Sequence, residues 1–313
     1  LYNLVGSAFF LIALAVLYRA YGTLSIPDMA ARSSSLPEES LPLAKAGGLL
    51  LMAVFGIKAA LLPLHFWLPR TYSSTSIPVA ALFAIMTKVG VYSLWRVHGT
   101  VFGDDAGAVA NLGKDALVWL SGATVMIGSV GVLASQSLRW LIANLVIASV
   151  GTLLMTVAIG TVAATAAGIY YALHSTFMSG AFFLVAGLLI MQRGQAGDRL
   201  VRSRPLRYPR ISGALFAIVA MAMIGLPPFS GFTGKIFVLQ SALKSGDAFW
   251  VWPLMLIAGL VAMVALSRAG TTLFWRTQGA VPQDAEYRIS GLHIAAAGIL
   301  VGMSIVLVVF AGP

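Results

Sequence analysis

The chain has 313 residues, 59% hydrophobic and only 10% charged, with a mean hydropathy of +0.92. That composition excludes a soluble globular domain, and the absence of cysteine excludes a disulfide framework, a thiol catalyst and thiolate metal sites. The net charge of +10 fits nucleic acid or anionic lipid by itself, so its distribution along the chain has to decide between them.

A helix needs about 20 mostly apolar residues to cross the hydrocarbon core of a bilayer. That ruler predicts nine spans, near residues 2–20, 44–66, 77–97, 116–134, 138–158, 161–191, 208–244, 250–276 and 289–311. The apolar runs are long and uninterrupted, unlike the alternating segments of about 10 residues that build membrane barrels, so the fold class is all-α: a polytopic helical bundle forming a single transmembrane domain over 1–313. The chain opens on Leu1, without a methionine, a charged n-region or a small-residue cleavage pattern. It is therefore expected to be an internal fragment without its amino-terminal helices, not a chain that follows a signal peptide.

The second span holds Lys58, followed by Pro63, His65, Pro69 and then Pro78. Proline removes a backbone donor and breaks a helix, which lipid-exposed backbone does not tolerate, so a break at that depth faces protein or a polar cavity. His65 lies seven residues beyond Lys58 and shares its face if the helix continues. The third span carries Lys88 among apolar residues. In the sixth, His174 is central, beside Ser175 and near Thr176 and Ser179. An imidazole titrates near neutrality and both gives and takes a proton, so His174 suits a relay, while the bland alternative is a hydrogen-bonded packing histidine. His98 and His293 stand near span ends and are expected to be solvated. The seventh span is broken at Pro227 and Pro228, with Gly231, Gly234 and Lys235 following at once. Lys58 and Lys235 lie 177 residues, or about five spans, apart, which fits an inverted five-helix repeat with breaks at corresponding positions.

Six arginines (Arg193, Arg199, Arg202, Arg204, Arg207, Arg210) crowd one loop, which the positive-inside rule assigns to the cytoplasmic side. Counting spans from it puts Arg70, Arg139 and the Arg276–Arg288 pair on the same side, with Asp28, Glu38, Glu39, Asp104 and Asp105 opposite. The basic excess thus reads as topology and lipid contact, not nucleic-acid binding. All ten acidic residues lie in loops or at span ends. A lysine at mid-bilayer costs roughly 2.5–3.5 kcal/mol on insertion scales, so three of them imply a partner, water or an ion pathway. Lys58 has no intramembrane carboxylate in this chain to pair with, and an acidic group is expected from outside it.

The stretch FGIKAALLPLHFWLPRTYSSTSIPVAALFAIMTKVGVYSLWRV resembles the heart of the proton-translocating membrane family shared by complex I antiporter-like subunits and Mrp-type multisubunit Na⁺/H⁺ antiporters. ALHSTFMSGAFFLVAGLL, GDRL and GLPPFSGFTGKIFVL resemble the D-type subunits of the Mrp branch, and the likeness runs over about residues 1–275. It implies an antiporter-like inverted-repeat fold lacking its first helices, with Lys58, Lys88 and Lys235 matching the lysines of a broken seventh, an eighth and a broken twelfth family helix. It further implies a hydrated mid-membrane chain of Lys58, Lys88 and Lys235, with a glutamate on a preceding helix as the partner of Lys58; His174, and His65 as a possible member, are added to that relay by their own positions. Where several relatives carry a further lysine, this chain has Ser179, leaving the centre to His174 and water.

The implied function is a proton-translocating subunit of a monovalent cation (Na⁺)/proton antiporter, a multi-pass protein of the cell (inner or plasma) membrane. Its partners would be other subunits of the complex, the lipid bilayer, protons and Na⁺ or another monovalent cation. A proton-pumping subunit of a complex I-like oxidoreductase or membrane-bound hydrogenase, and a non-conducting structural subunit, are the alternatives. No nucleophile–base pair, metal-ligand spacing or phosphate loop occurs, so neither an enzyme, a cofactor nor a metal is expected.

Overall fold

The computed structural model describes residues 2–281 and 291–311. Arg288, Asp284, Glu286 and the first residues of the last predicted span lie outside the described residues. Among the described residues there is no β-strand, only isolated bridges between Ser137 and Arg199 and between Ser203 and Thr277. The helices are α1 (Tyr2–Tyr21), α2 (Ile26–Ser33), α3 (Leu41–Ala59), α4 (Trp67–Ser74), α5 (Ile77–Phe83), α6 (Met86–Val101) and α7 (Lys114–Ala134). They continue with α8 (Leu138–Ile159), α9 (Val162–Arg193), α10 (Pro209–Ile224), α11 (Ser230–Ser245), α12 (Ala248–Gly270) and α13 (Gly291–Val309). Among the described residues, eight helical segments are long and apolar enough to cross a membrane. α8 lies at the centre, buried along nearly its whole length, and packs on α7 and α9. Close approach there depends on glycine: a Cβ on Gly128 would sit 2.5 Å from the amide nitrogen of Ala148, and one on Gly151 would sit 2.6 Å from that of Val125.

Three sequence expectations are corrected. The stretch 77–97 is not one continuous helix, because α5 ends at Phe83 and α6 begins at Met86. No proline or glycine marks that interruption. Tyr72 instead reaches from α4 to donate its hydroxyl to the Phe83 carbonyl, supplying the partner that the helix withdraws. The first long loop contains an additional short helix, α2, whose Met29 and Ser33 face inward. α3 stops at Ala59, six residues before His65, so the shared helical face expected for Lys58 and His65 does not exist.

The basic segments meet at one end of the bundle. Arg139 pairs with Asp198 at 3.0 Å and donates to the Thr75 carbonyl, Arg268 donates to the Leu133 carbonyl, and the amide of Gln278 donates to the Ser203 carbonyl. At the other end Ser34 touches Gly107, and the loop with Asp104 and Asp105 shares a cleft with Gly160 and Thr165.

Candidate functional site

Helix breaks expose backbone groups, and at both breaks several of the freed groups find partners. Ala60 closes α3 in the left-handed conformation (φ 63°), and its amide donates to the Ile57 carbonyl while that of Leu61 donates to the Gly56 carbonyl. The Leu62 amide donates to the Thr124 hydroxyl of α7 at 3.0 Å, and the Trp67 indole donates to the Ile57 carbonyl at 2.9 Å. The bonds before Pro63 and between Pro227 and Pro228 are cis. Lys58 occupies the last turn of α3, where the carbonyl end of a helix favours a cation. It is half-buried and makes no hydrogen bond or ion pair among the described residues.

At the second break Gly225 (φ 87°) ends α10, donating to the Met221 and Ala222 carbonyls. Lys235 reaches back from α11, lies across Gly225, and donates from Nζ to the Ile224 carbonyl at 2.5 Å. Both lysines therefore address the carbonyl end of the first half-helix of a broken pair, Lys58 from within that helix and Lys235 from the helix after the break. A cavity of about 30 Å³ bounded by Lys235, Ser149, Thr152 and Tyr171 is large enough for a water molecule.

Between the breaks, Lys88 is 5% exposed on α6 and its Nζ has no hydrogen-bond partner among the described residues. α6 approaches the break in α3 at Gly90, where a Cβ would lie 2.6 Å from the Ala59 amide nitrogen, so the turn holding Lys88 abuts the turn holding Lys58. His174 on α9 is 2% exposed, and α9 packs on both α6, which carries Lys88, and α11, which carries Lys235. Its Nδ1 bonds the Ser230 hydroxyl at 2.8 Å, which bonds the Ser304 hydroxyl at 2.6 Å. Its Nε2 faces Gly231, where a Cβ would sit 2.8 Å from that nitrogen and 2.1 Å from the Ala222 carbonyl oxygen. Only glycine fits between the histidine and the end of α10.

His174 and Lys235 thus meet at the second break, while Lys88 and Lys58 lie on abutting turns of α6 and α3, and these four make up a candidate polar row with no hydrogen bond between its members among the described residues. His65 is buried in a 3₁₀ turn against Phe66, with its Nδ1 unpartnered and no bond to the row. Pro63, Pro227 and Pro228 stand at the breaks. His98 is 7% exposed, contrary to the expectation that it is solvated, because the 102–112 loop folds over the end of α6 and puts Phe102 against its ring. His293 is partly buried, with its Nδ1 shielded and unpartnered.

Several polar neighbours of these residues were not singled out from the sequence: Ser230 and Ser304, Ser149, which bonds Ser175 at 2.8 Å, and the buried hydroxyl of Thr87, without a partner among the described residues. Ser149, Thr152 and Thr156 recur at i, i+3 and i+7 in the part of α8 after Asn144, which is otherwise apolar, a legible polar stripe. Ser304 carried no such signal, since it is a single hydroxyl in an apolar helix. Among the described residues no group of three or more metal-ligating side chains occurs.

A family model described as NADH:quinone oxidoreductase/Mrp antiporter, transmembrane region, matches residues 1–263. The chain is 34% identical to a probable K⁺/H⁺ antiporter D-type subunit of Rhizobium meliloti, over 99% of this chain and 62% of that protein. It is 33% identical to the corresponding D-type subunit of a Na⁺/H⁺ antiporter of Bacillus subtilis, over 95% and 59%. The chain spans about 60% of the length of these curated relatives. Its fold matches a chain of the Mrp complex from Dietzia with a TM-score of 0.82 at 23% identity, covering 99% of this chain and 64% of that one. A chain of respiratory complex I from Thermus thermophilus superposes with a TM-score of 0.81 at 26% identity, over 99% and 64%.

Proposed function

From the premise that this chain belongs to the NADH:quinone oxidoreductase/Mrp antiporter family of membrane proteins, we propose that it is a D-type subunit of a multisubunit monovalent cation/proton antiporter in the cell membrane, and that it moves protons along Lys58, Lys88, His174 and Lys235. The observation that carries the reading is Lys88. An ionised ammonium enclosed without a partner costs several kcal/mol even after relaxation, and such groups in membrane helices mark ion and proton paths. Lys88 is such a group, and α9, which packs on its helix, carries a histidine that already has a hydrogen-bonded exit through Ser230 to Ser304.

Protons would pass as switches between charge pairings, with no covalent chemistry. Lys58, untied at the α3 terminus, would hand its proton toward Lys88 when an acidic partner from another part of the assembly withdraws. Lys88 would pass it through water and His174 to Lys235, whose bond to the Ile224 carbonyl gives the arriving charge a fixed acceptor. An arginine at any of these positions would hold its proton permanently. Partners in this reading are other subunits of the complex and Na⁺, K⁺ or another monovalent cation.

The test is Lys88→Ala in the complete complex, assayed in everted vesicles for cation-dependent proton movement. Transport is expected to fall to background with assembly of the complex intact; normal transport by an assembled variant would remove Lys88 from the path. The likeness to a chain of complex I keeps a second, redox-driven reading. Proton movement that requires an electron donor, and ignores added Na⁺ or K⁺, would select it.

A further inference from the structure

The arginine-rich end of the bundle contains a cleft of about 950 Å³, between the α7–α8 turn, residues 199–201 and the last turns of α12 with the π-helical turn Thr271–Trp275. Arg199, Arg268 and Arg276 line it, and among the described residues no acidic side chain does. All three arginines are exposed. The carboxylate next to Arg199 in sequence, Asp198, is occupied by Arg139 at 3.0 Å. Arg199 and Arg268 spend one nitrogen each on the carbonyls of Gln195 and Leu133, and the Arg276 guanidinium makes no contact among the described residues. Three guanidiniums lining one cleft, with spare donors and no counter-ion among the described residues, present a site for an anion with several oxygens, because the planar fork matches phosphate geometry.

The surroundings select what carries that phosphate. Leu260, Val264 and Arg268 follow at i, i+4 and i+8 on α12, and Leu260 and Val264 are 61% and 53% exposed, so an apolar stripe runs along the helix and ends at an arginine. Trp140, 40% exposed, stands on the rim, as aromatic rings do at the boundary between hydrocarbon and headgroups. A free anion would have no use for the stripe. We propose that the cleft holds the phosphodiester headgroup of an anionic phospholipid, with its acyl chain lying along Leu260 and Val264. The site is separate from the proton row and does not depend on the transport reading. By bridging the α7–α8 turn to the end of α12, the lipid would clamp two segments that are otherwise joined there by the bond from Arg268 to the Leu133 carbonyl.

The test is native mass spectrometry of the intact complex in detergent, titrated with phosphatidylglycerol, with phosphatidylcholine, and with inorganic phosphate. Each arginine near an anionic headgroup contributes on the order of fivefold in affinity. Arg276→Gln, which breaks no contact within the protein, is expected to weaken phosphatidylglycerol retention about fivefold, and the triple change R199Q/R268Q/R276Q to weaken it about a hundredfold. Arg202→Gln with Arg204→Gln, in the same basic loop outside the cleft, should leave retention unchanged. Equal retention of phosphatidylcholine, full occupancy by inorganic phosphate in competition with the lipid, or equal loss in the Arg202/Arg204 control would each overturn the proposal. So would a photocrosslinker at Thr272 that captures a neighbouring protein in place of lipid.

Discussion

The two broken helices solve one problem in opposite ways. At the α3 break the freed backbone is satisfied by other side chains, Thr124 for the Leu62 amide and Trp67 for the Ile57 carbonyl, and the lysine is left untied. At the α10–α11 break the lysine itself is the partner, since Lys235 donates to the Ile224 carbonyl. The difference separates a mobile charge from a positioned one. Lys58 is free to swing toward whatever approaches the flank of the bundle, whereas moving Lys235 requires a buried carbonyl to give up its donor. A row that begins in a loose lysine and ends in a tethered one has a built-in asymmetry that near-equivalent positions in a repeat would not suggest.

The largest effect expected from disturbing this contrast is at Gly231. A side chain there meets the Ala222 carbonyl oxygen at 2.1 Å, a backbone atom that yields only if α10 and α11 separate. Gly231→Val should destabilise the folded chain by about 3 kcal/mol or more, the upper range for overpacking, read as a lowered unfolding midpoint in detergent. A midpoint unchanged by this substitution would mean the two half-helices are not packed as described.

Next comes Lys235→Met, which keeps the length of the side chain and strands the Ile224 carbonyl. Losing the donor to a buried acceptor costs about 1–3 kcal/mol. Stability and transport should both fall, and a variant that loses transport at full stability would show that the bond to Ile224 does not hold the break. Thr124→Val tests the first break by the same logic without touching a lysine. It removes the acceptor of the Leu62 amide at an expected cost of about 1 kcal/mol, and an unfolding midpoint equal to that of the parent chain would refute that role.

Smallest in stability is Lys58→Met, expected to stay within about 0.5 kcal/mol because no contact is lost. It should nevertheless abolish cation-dependent proton movement, as should Lys58→Arg, whose guanidinium keeps its proton. The pair of methionine variants therefore isolates the comparison: equal loss of transport, unequal loss of stability. If both destabilise alike, the distinction between a free and a tethered lysine is wrong.

Much of this arrangement is legible in one dimension. Apolar runs of membrane length, prolines and glycines beside lysines, and arginines gathered in alternate loops are all local patterns, and they mark the helices, both major breaks and the basic end. Lys88 and His174 stand out for the same reason, as isolated polar groups in apolar helices. What the chain could not disclose by itself was which groups meet. The interruption between α5 and α6 has no breaker residue, because its freed carbonyl is answered by Tyr72, from another helix. His98 looks like a solvated end residue until the 102–112 loop folds over it. His65 shares a face with Lys58 only on paper, since α3 ends before it. Ser304 joins the histidine because α13 packs beside the start of α11, 74 residues after Ser230. Composition and spacing decide which segments enter the membrane, because desolvation acts on each segment separately. Which polar groups face one another inside it is decided by tertiary packing, because a buried hydrogen bond depends on the position of two atoms that the sequence can hold any distance apart.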